Sequence, residues 1–75
     1  MPKLPALRAR EIIKTLKKLG FFEHRQRGSS HLILKHPNGR RVSVPVHPSK
    51  DVKPGTLRGI LEDADIPEDQ FLKTL

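Results

Sequence analysis

The sequence predicts an α+β chain of order α-β-β-β-α: a three-stranded antiparallel sheet with two helices packed on one face. Three observations predict it. Apolar residues recur at helical spacing near the N-terminus and again after Pro54, while the hydrophobic period between them drops to two. Asn38-Gly39 punctuates that period-two region, as a tight hairpin requires. Third, the 75 residues contain no repeat, linker or low-complexity tract, so a single domain over residues 1–75 is expected.

The first helix is expected over residues 9 to 19. Ala9, Ile12, Ile13, Leu16 and Leu19 share one face, Arg10, Lys14, Lys17 and Lys18 the other, and Gly20 stands where a left-handed C-terminal cap wants glycine. From Phe21 the pattern alternates, with Phe22, His24 and Gln26 against Phe21, Glu23 and Arg25, until Arg27-Gly28-Ser29-Ser30 breaks it. His31 to His36 forms the next strand, with Leu32 and Leu34 on one face and His31, Ile33 and Lys35 on the other. After the turn Pro37-Asn38-Gly39-Arg40, Val42, Val44 and Val46 line the third strand. Pro45, which cannot donate a ladder hydrogen bond, marks that strand as an edge or its end.

His47 to Lys53 reads as a loop. Pro54 suits the first turn of the second helix, whose stripe is Leu57, Ile60, Leu61 and Ala64, and Ile66-Pro67 ends it. Glu68 to Leu75 adds a last turn, with Phe71, Leu72 and Leu75 covering the core. Two amphipathic helices cover one sheet face, leaving the other, with His31 and Lys35, open.

Composition bounds the chemistry. With 35% hydrophobic residues and 4% aromatics, the core is thin and aliphatic and leaves no room for a deep cofactor pocket. Any chemistry therefore belongs on an open surface. The absence of cysteine excludes disulfides, thiolate metal ligands and a thiol nucleophile. No stretch approaches the roughly 20 apolar residues of a membrane span, and Met1-Pro2-Lys3-Leu4-Pro5 lacks a secretion signal's apolar run. A soluble, cytoplasmic chain is expected, with no membrane partner.

The net charge is +7 and unevenly placed. Through Arg58 there are 14 Lys/Arg against 3 Asp/Glu, and from Gly59 onward one Lys against five acids. Such a body suits a polyanion, since Lys/Arg that displace condensed counterions gain affinity for phosphate backbones. Charge alone favours nucleic acid over an acidic protein partner or a merely basic surface.

The four histidines, His24, His31, His36 and His47, show no metal-ligand spacing, so no metal site is expected. His36, beside Pro37, reads as a turn residue, and His24 as a half-exposed strand residue. His47 either flanks a site or ends its strand. Ser29 and Ser30 lack a Ser–His–acid arrangement and read as phosphate or turn ligands. Glu62, Asp63, Asp65, Glu68 and Asp69 read as a solvated helix end.

His31 stands apart. It follows Gly28-Ser29-Ser30, small residues that let a phosphate backbone approach, and Arg25, Arg27, Lys35, Arg40 and Arg41 lie near it in the expected hairpin. RNA carries its own nucleophile, the 2′-hydroxyl, so cleavage needs only a proton carrier and cations to stabilise the phosphorane. Imidazole titrates near neutral pH and fits that task. From the residues alone, an ordinary surface histidine in a strand is the favoured reading.

Gly28-Ser29-Ser30-His31 is similar to the Gly-Ser-x-His signature of the HicA family of messenger RNA interferases. The chain resembles that family nearly end to end, over roughly residues 7 to 72. Glu11-Ile12-Ile13-Lys14 through Leu19-Gly20-Phe21, His36-Pro37-Asn38-Gly39-Arg40, Val42-Ser43-Val44-Pro45-Val46-His47 and Lys53-Pro54-Gly55-Thr56-Leu57-Arg58 follow the family's order and spacing. Arg8 stands where many relatives cap the first helix with Ser, and Asp65 where glycine often ends the second.

The resemblance implies a fold like a double-stranded-RNA-binding domain and metal-independent cleavage of mRNA with no cofactor. It maps the catalytic histidine onto His31. It also implies a HicB-type antitoxin that blocks the site. Arg25, Arg27, Gly28, Ser29, Ser30, Lys35, Arg40 and Arg41 are the candidates for holding RNA, with Lys14, Lys17 and Lys18 as an outer track. The alternatives are a non-catalytic RNA-binding module of the same fold and a protein-interaction adaptor.

Overall fold

A computed structural model describes residues 4–27 and 30–75, the Gln26 and Arg27 side chains excepted. Its elements are β1 (Leu7–Arg8), α1 (Ala9–Lys18), β2 (Phe22–Arg27), β3 (His31–Lys35), β4 (Arg41–Pro45), β5 (Asp51–Val52), α2 (Pro54–Ala64) and α3 (Glu68–Thr74). β2, β3 and β4 form an antiparallel sheet in that order, so β3 is central and β4, with Pro45, is an edge as expected.

The apolar stripes meet on one side of the sheet. Ile12 and Leu16 of α1, Leu57, Ile60 and Leu61 of α2 and Phe71 of α3 close a single core with Leu32, Leu34, Val42 and Val44. Ile33 is equally shielded, at 6% exposure, yet lies outside that core. It sits mid-sheet on the opposite face, opposite Arg25 and Ser43, where the aliphatic stems of its neighbours can cover it.

α1 ends as its sequence dictates. Phe21 N–H donates to Leu16 O (3.0 Å) and Gly20 N–H to Lys17 O (3.1 Å), a Schellman cap that Gly20 closes at φ +100°. α2 ends through the same bonds, Ile66 N–H to Leu61 O (2.9 Å) and Asp65 N–H to Glu62 O (3.1 Å). Asp65 takes the left-handed position at φ 57°, which a short polar side chain tolerates.

Four features depart from expectation. Residues 68–74 form a separate third helix rather than one turn, docked by the fully buried Phe71. Leu75, expected over the core, is 48% exposed, because α3 ends before carrying it inward. Within the expected loop, Asp51–Val52 pairs with Leu7–Arg8 as a two-stranded ladder. Finally, β2 carries a bulge. Glu23 pairs with Leu34 and Arg25 with Ile33, so His24 is the extra residue and the alternation shifts by one beyond it.

Candidate active site

The open face is organised by cross-strand register. Cα partners in an antiparallel sheet project to the same side, with Cβ atoms about 5 Å apart. Phe22, Lys35 and Arg41 form one row, and Arg25, Ile33 and Ser43 the next. In the third row His31 pairs with Pro45 on one side and with Arg27 on the other.

His31 opens β3 and is exposed. Its Nδ1 lies 3.2 Å from the Ser30 hydroxyl. Ser30 is itself held in place, because its carbonyl accepts a 2.7 Å hydrogen bond from Val46 N–H just beyond β4. One ring nitrogen of His31 thus lies against a hydroxyl whose residue is tied to the chain beyond β4.

The expected cations separate along the face. Lys35 and Arg41 share the His31 face but stand four residues along the strand, about 13 Å away at 3.3 Å per residue. Arg25 lies between. Arg40 belongs to the hairpin turn at the far end and forms an exposed 3.3 Å ion pair with Asp65. Lys14, Lys17 and Lys18 are on the outer side of α1, which packs against the other sheet face. There Lys17 pairs with Glu23, and Lys18, Lys14 and Arg10 border a shallow groove floored by Ile13 and Leu32. Gly28, Ser29 and the Arg27 side chain lie outside the described residues.

The remaining histidines take distinct places. His36 is the turn residue expected of it. Its Nδ1 accepts from Asn38 N–H (3.0 Å), its ring meets Phe21 edge-on with centroids 5.0 Å apart, and Asn38 Oδ1 in turn accepts from Arg40 N–H (2.8 Å). His47 follows β4 at the His31 end, where Arg8, Arg10 and Pro48 line a depression with it. Arg8 donates to Pro48 O and pairs with Asp51 at 2.8 Å. His24, on the bulge, is exposed. Partial desolvation, and then the positive charges of Lys35, Arg25 and Arg41, hold its pKa below the ordinary histidine value.

Phe22 and Arg10 were not assigned to a site by the sequence pattern; Phe22 joins the row of Lys35 and Arg41 through the pairing register of β2 and β3, which alternation alone does not reveal.

Among the described residues no cluster of His and acidic side chains could hold a metal ion, and no helix is long and apolar enough to cross a membrane. The family model described as HicA toxin of bacterial toxin-antitoxin matches residues 9–66. No curated protein matches the chain.

Proposed function

The chain belongs to the HicA toxin family of bacterial toxin–antitoxin systems, and on that premise we propose that it is an endoribonuclease acting on messenger RNA through His31. The observation that carries this reading is an exposed imidazole, anchored at Nδ1 by Ser30, on an open face that also bears Arg25, Lys35 and Arg41.

The chemistry follows from those groups. With Nδ1–H donating to the Ser30 hydroxyl, Nε2 of His31 is unprotonated and accepts the proton of a ribose 2′-hydroxyl. The 2′-oxygen attacks the adjacent phosphorus. The bond to the 5′-oxygen breaks, and that oxygen leaves with a proton returned by the imidazolium or by water. The products are a 2′,3′-cyclic phosphate and a 5′-hydroxyl. Arg25 is the described cation nearest along the strands for the phosphorane's charge, while Lys35 and Arg41 grip neighbouring phosphates. Arg27, Gly28, Ser29 and Ser30 complete the proposed phosphate contacts. Arg40 holds RNA only by exchanging its exposed Asp65 pair for a phosphate, an inexpensive exchange for a surface ion pair. Lys14, Lys17 and Lys18 engage only a strand long enough to pass round the β2 edge.

The antitoxin partner is proposed to be of HicB type and to cover this open face, its acidic groups standing in for phosphates. No cofactor and no metal enter the mechanism. The test is incubation of labelled single-stranded RNA with purified protein in the presence of chelator. We expect cyclic-phosphate ends, with His31→Ala lowering the rate by about 10²- to 10⁴-fold at unchanged circular dichroism. A folded His31→Ala protein that cleaves at the wild-type rate removes the mechanism. Binding without products under any condition assigns the face to a non-catalytic RNA-binding module instead.

A further inference from the structure

Phe21 and Phe22 are adjacent and opposed. Phe21 is buried in the core at 5% exposure, whereas Phe22 is 48% exposed on the open face. A lone surface apolar residue is ordinary, but Phe22 is not isolated chemically. It stands on the edge strand β2, in the row whose next members are Lys35 and Arg41. At 4.8 Å between strands, Lys35 lies about 5 Å from it on the central strand and Arg41 about 10 Å from it on the opposite edge strand. A ring at the sheet edge followed across the strands by two positive charges matches the order of a nucleotide, base and then phosphate. The bulge at His24 adds a further imidazole to the same end.

We propose that Phe22, with Lys35 and Arg41 in its row, forms a base-stacking subsite for an unpaired nucleotide of an RNA strand, about 13 Å along the sheet from His31. The subsite deepens the ribonuclease reading and rests on RNA being the ligand of this face. It makes the substrate single-stranded there, since only an unstacked base presents its π-face to an aromatic ring. It also sets a span: the strand must bridge about 13 Å between the base on Phe22 and the phosphate at His31.

The chain contains no Trp or Tyr, so Phe22→Trp introduces a single indole that reports on this position alone. The probe is an eight-nucleotide 2′-O-methyl oligoribonucleotide, which lacks the 2′-hydroxyl nucleophile and cannot be cut by this route. Titration is expected to quench the Phe22→Trp indole, and the same strand annealed into duplex is expected to leave it bright. Phe22→Ala and Phe22→Leu should weaken oligonucleotide binding about 5- to 150-fold, the range expected for loss of a base–aromatic stack, with unchanged circular dichroism. Phe22→Trp should bind at least as well as wild type.

Wild-type affinity in both Phe22→Ala and Phe22→Leu, or equal quenching by the duplex, overturns the subsite. Quenching by polyglutamate but not by the oligonucleotide overturns it in favour of an acidic protein surface. Because the probe is not cleaved, failure of the nuclease reading shows separately, as native RNA left intact by wild-type protein.

Discussion

The hydroxyl of Ser30 lies within hydrogen-bond reach of Nδ1 of His31, and in the proposed mechanism it accepts from Nδ1–H. The 3.2 Å contact to Nδ1 leaves Nε2 basic only while Ser30 accepts from Nδ1–H. Ser30→Ala removes one modest hydrogen bond, worth about 1 kcal/mol. Cleavage should fall about fivefold, and Ser30→Thr, which keeps the hydroxyl, should restore it. A second residue-scale effect follows from His24. Its folded-state pKa lies below the unfolded value of about 6.5. As pH falls through 6.5 the unfolded chain takes up its proton first, so the group lowers stability toward acid and its effect vanishes as pH rises above that value. A bound polyanion neutralises Lys35, Arg25 and Arg41, which raises the His24 pKa again and couples binding to proton uptake. Oligonucleotide affinity should therefore tighten between pH 7.5 and 5.5. His24→Asn should lose part of that gain, and an identical pH dependence in the two proteins would exclude the coupling.

At the scale of elements, the junction from α1 into β2 rests on one glycine. Gly20 sits at φ +100°, and a Cβ there would stand 2.6 Å from Nε2 of His36. That ring cannot swing away freely, because Asn38 N–H and the Phe21 edge both hold it. Gly20→Ala should cost about 2 kcal/mol from backbone strain and crowding together, lowering Tm by roughly 10 °C. In a His36→Ala background the crowding part disappears, so thermal denaturation of the double-mutant cycle should show a smaller penalty.

The same junction shows what the sequence makes legible. Gly20 ending a helix, Asn38-Gly39 turning a hairpin and the Val42, Val44 alternation all act through local backbone preference, and each appears where its pattern places it, whereas Val46, expected in the third strand, falls just beyond β4 and packs partly buried against the core. The His24 bulge does not, because it is a register adjustment between two strands and no residue in β2 announces it. Pairing of Leu7–Arg8 with Asp51–Val52 is hidden for the same reason, two-residue strands being too short to carry a period. At the site, His31 on the open face was legible from the parity of Leu32 and Leu34. The distance from His31 to Lys35 and Arg41 was not, since residues close in the hairpin sequence lie at opposite ends of the sheet.

At the scale of the whole molecule, the protein is a slab of 35 × 31 × 17 Å, two layers thick. Its two broad faces are the bare side of the sheet and the helical layer on the other. Its positive charge is divided between those faces, with Arg25, Lys35 and Arg41 on the bare sheet and Lys14, Lys17 and Lys18 on the far side of α1. A short strand cannot reach both. Each cation that releases a counterion from single-stranded nucleic acid contributes about −0.7 to the slope of log affinity against log salt. For an eight-nucleotide strand, Lys35→Gln or Arg41→Gln should therefore flatten that slope by about 0.7, and Lys14→Gln or Lys18→Gln should leave it unchanged. For a strand several times longer, the α1 substitutions should flatten it as well, because the excess length can pass round the β2 edge to the second layer. Equal effects of Lys14→Gln and Lys35→Gln on the short strand would mean that the polyanion does not lie along the open face, and His31 would then be facing the wrong surface to act on it.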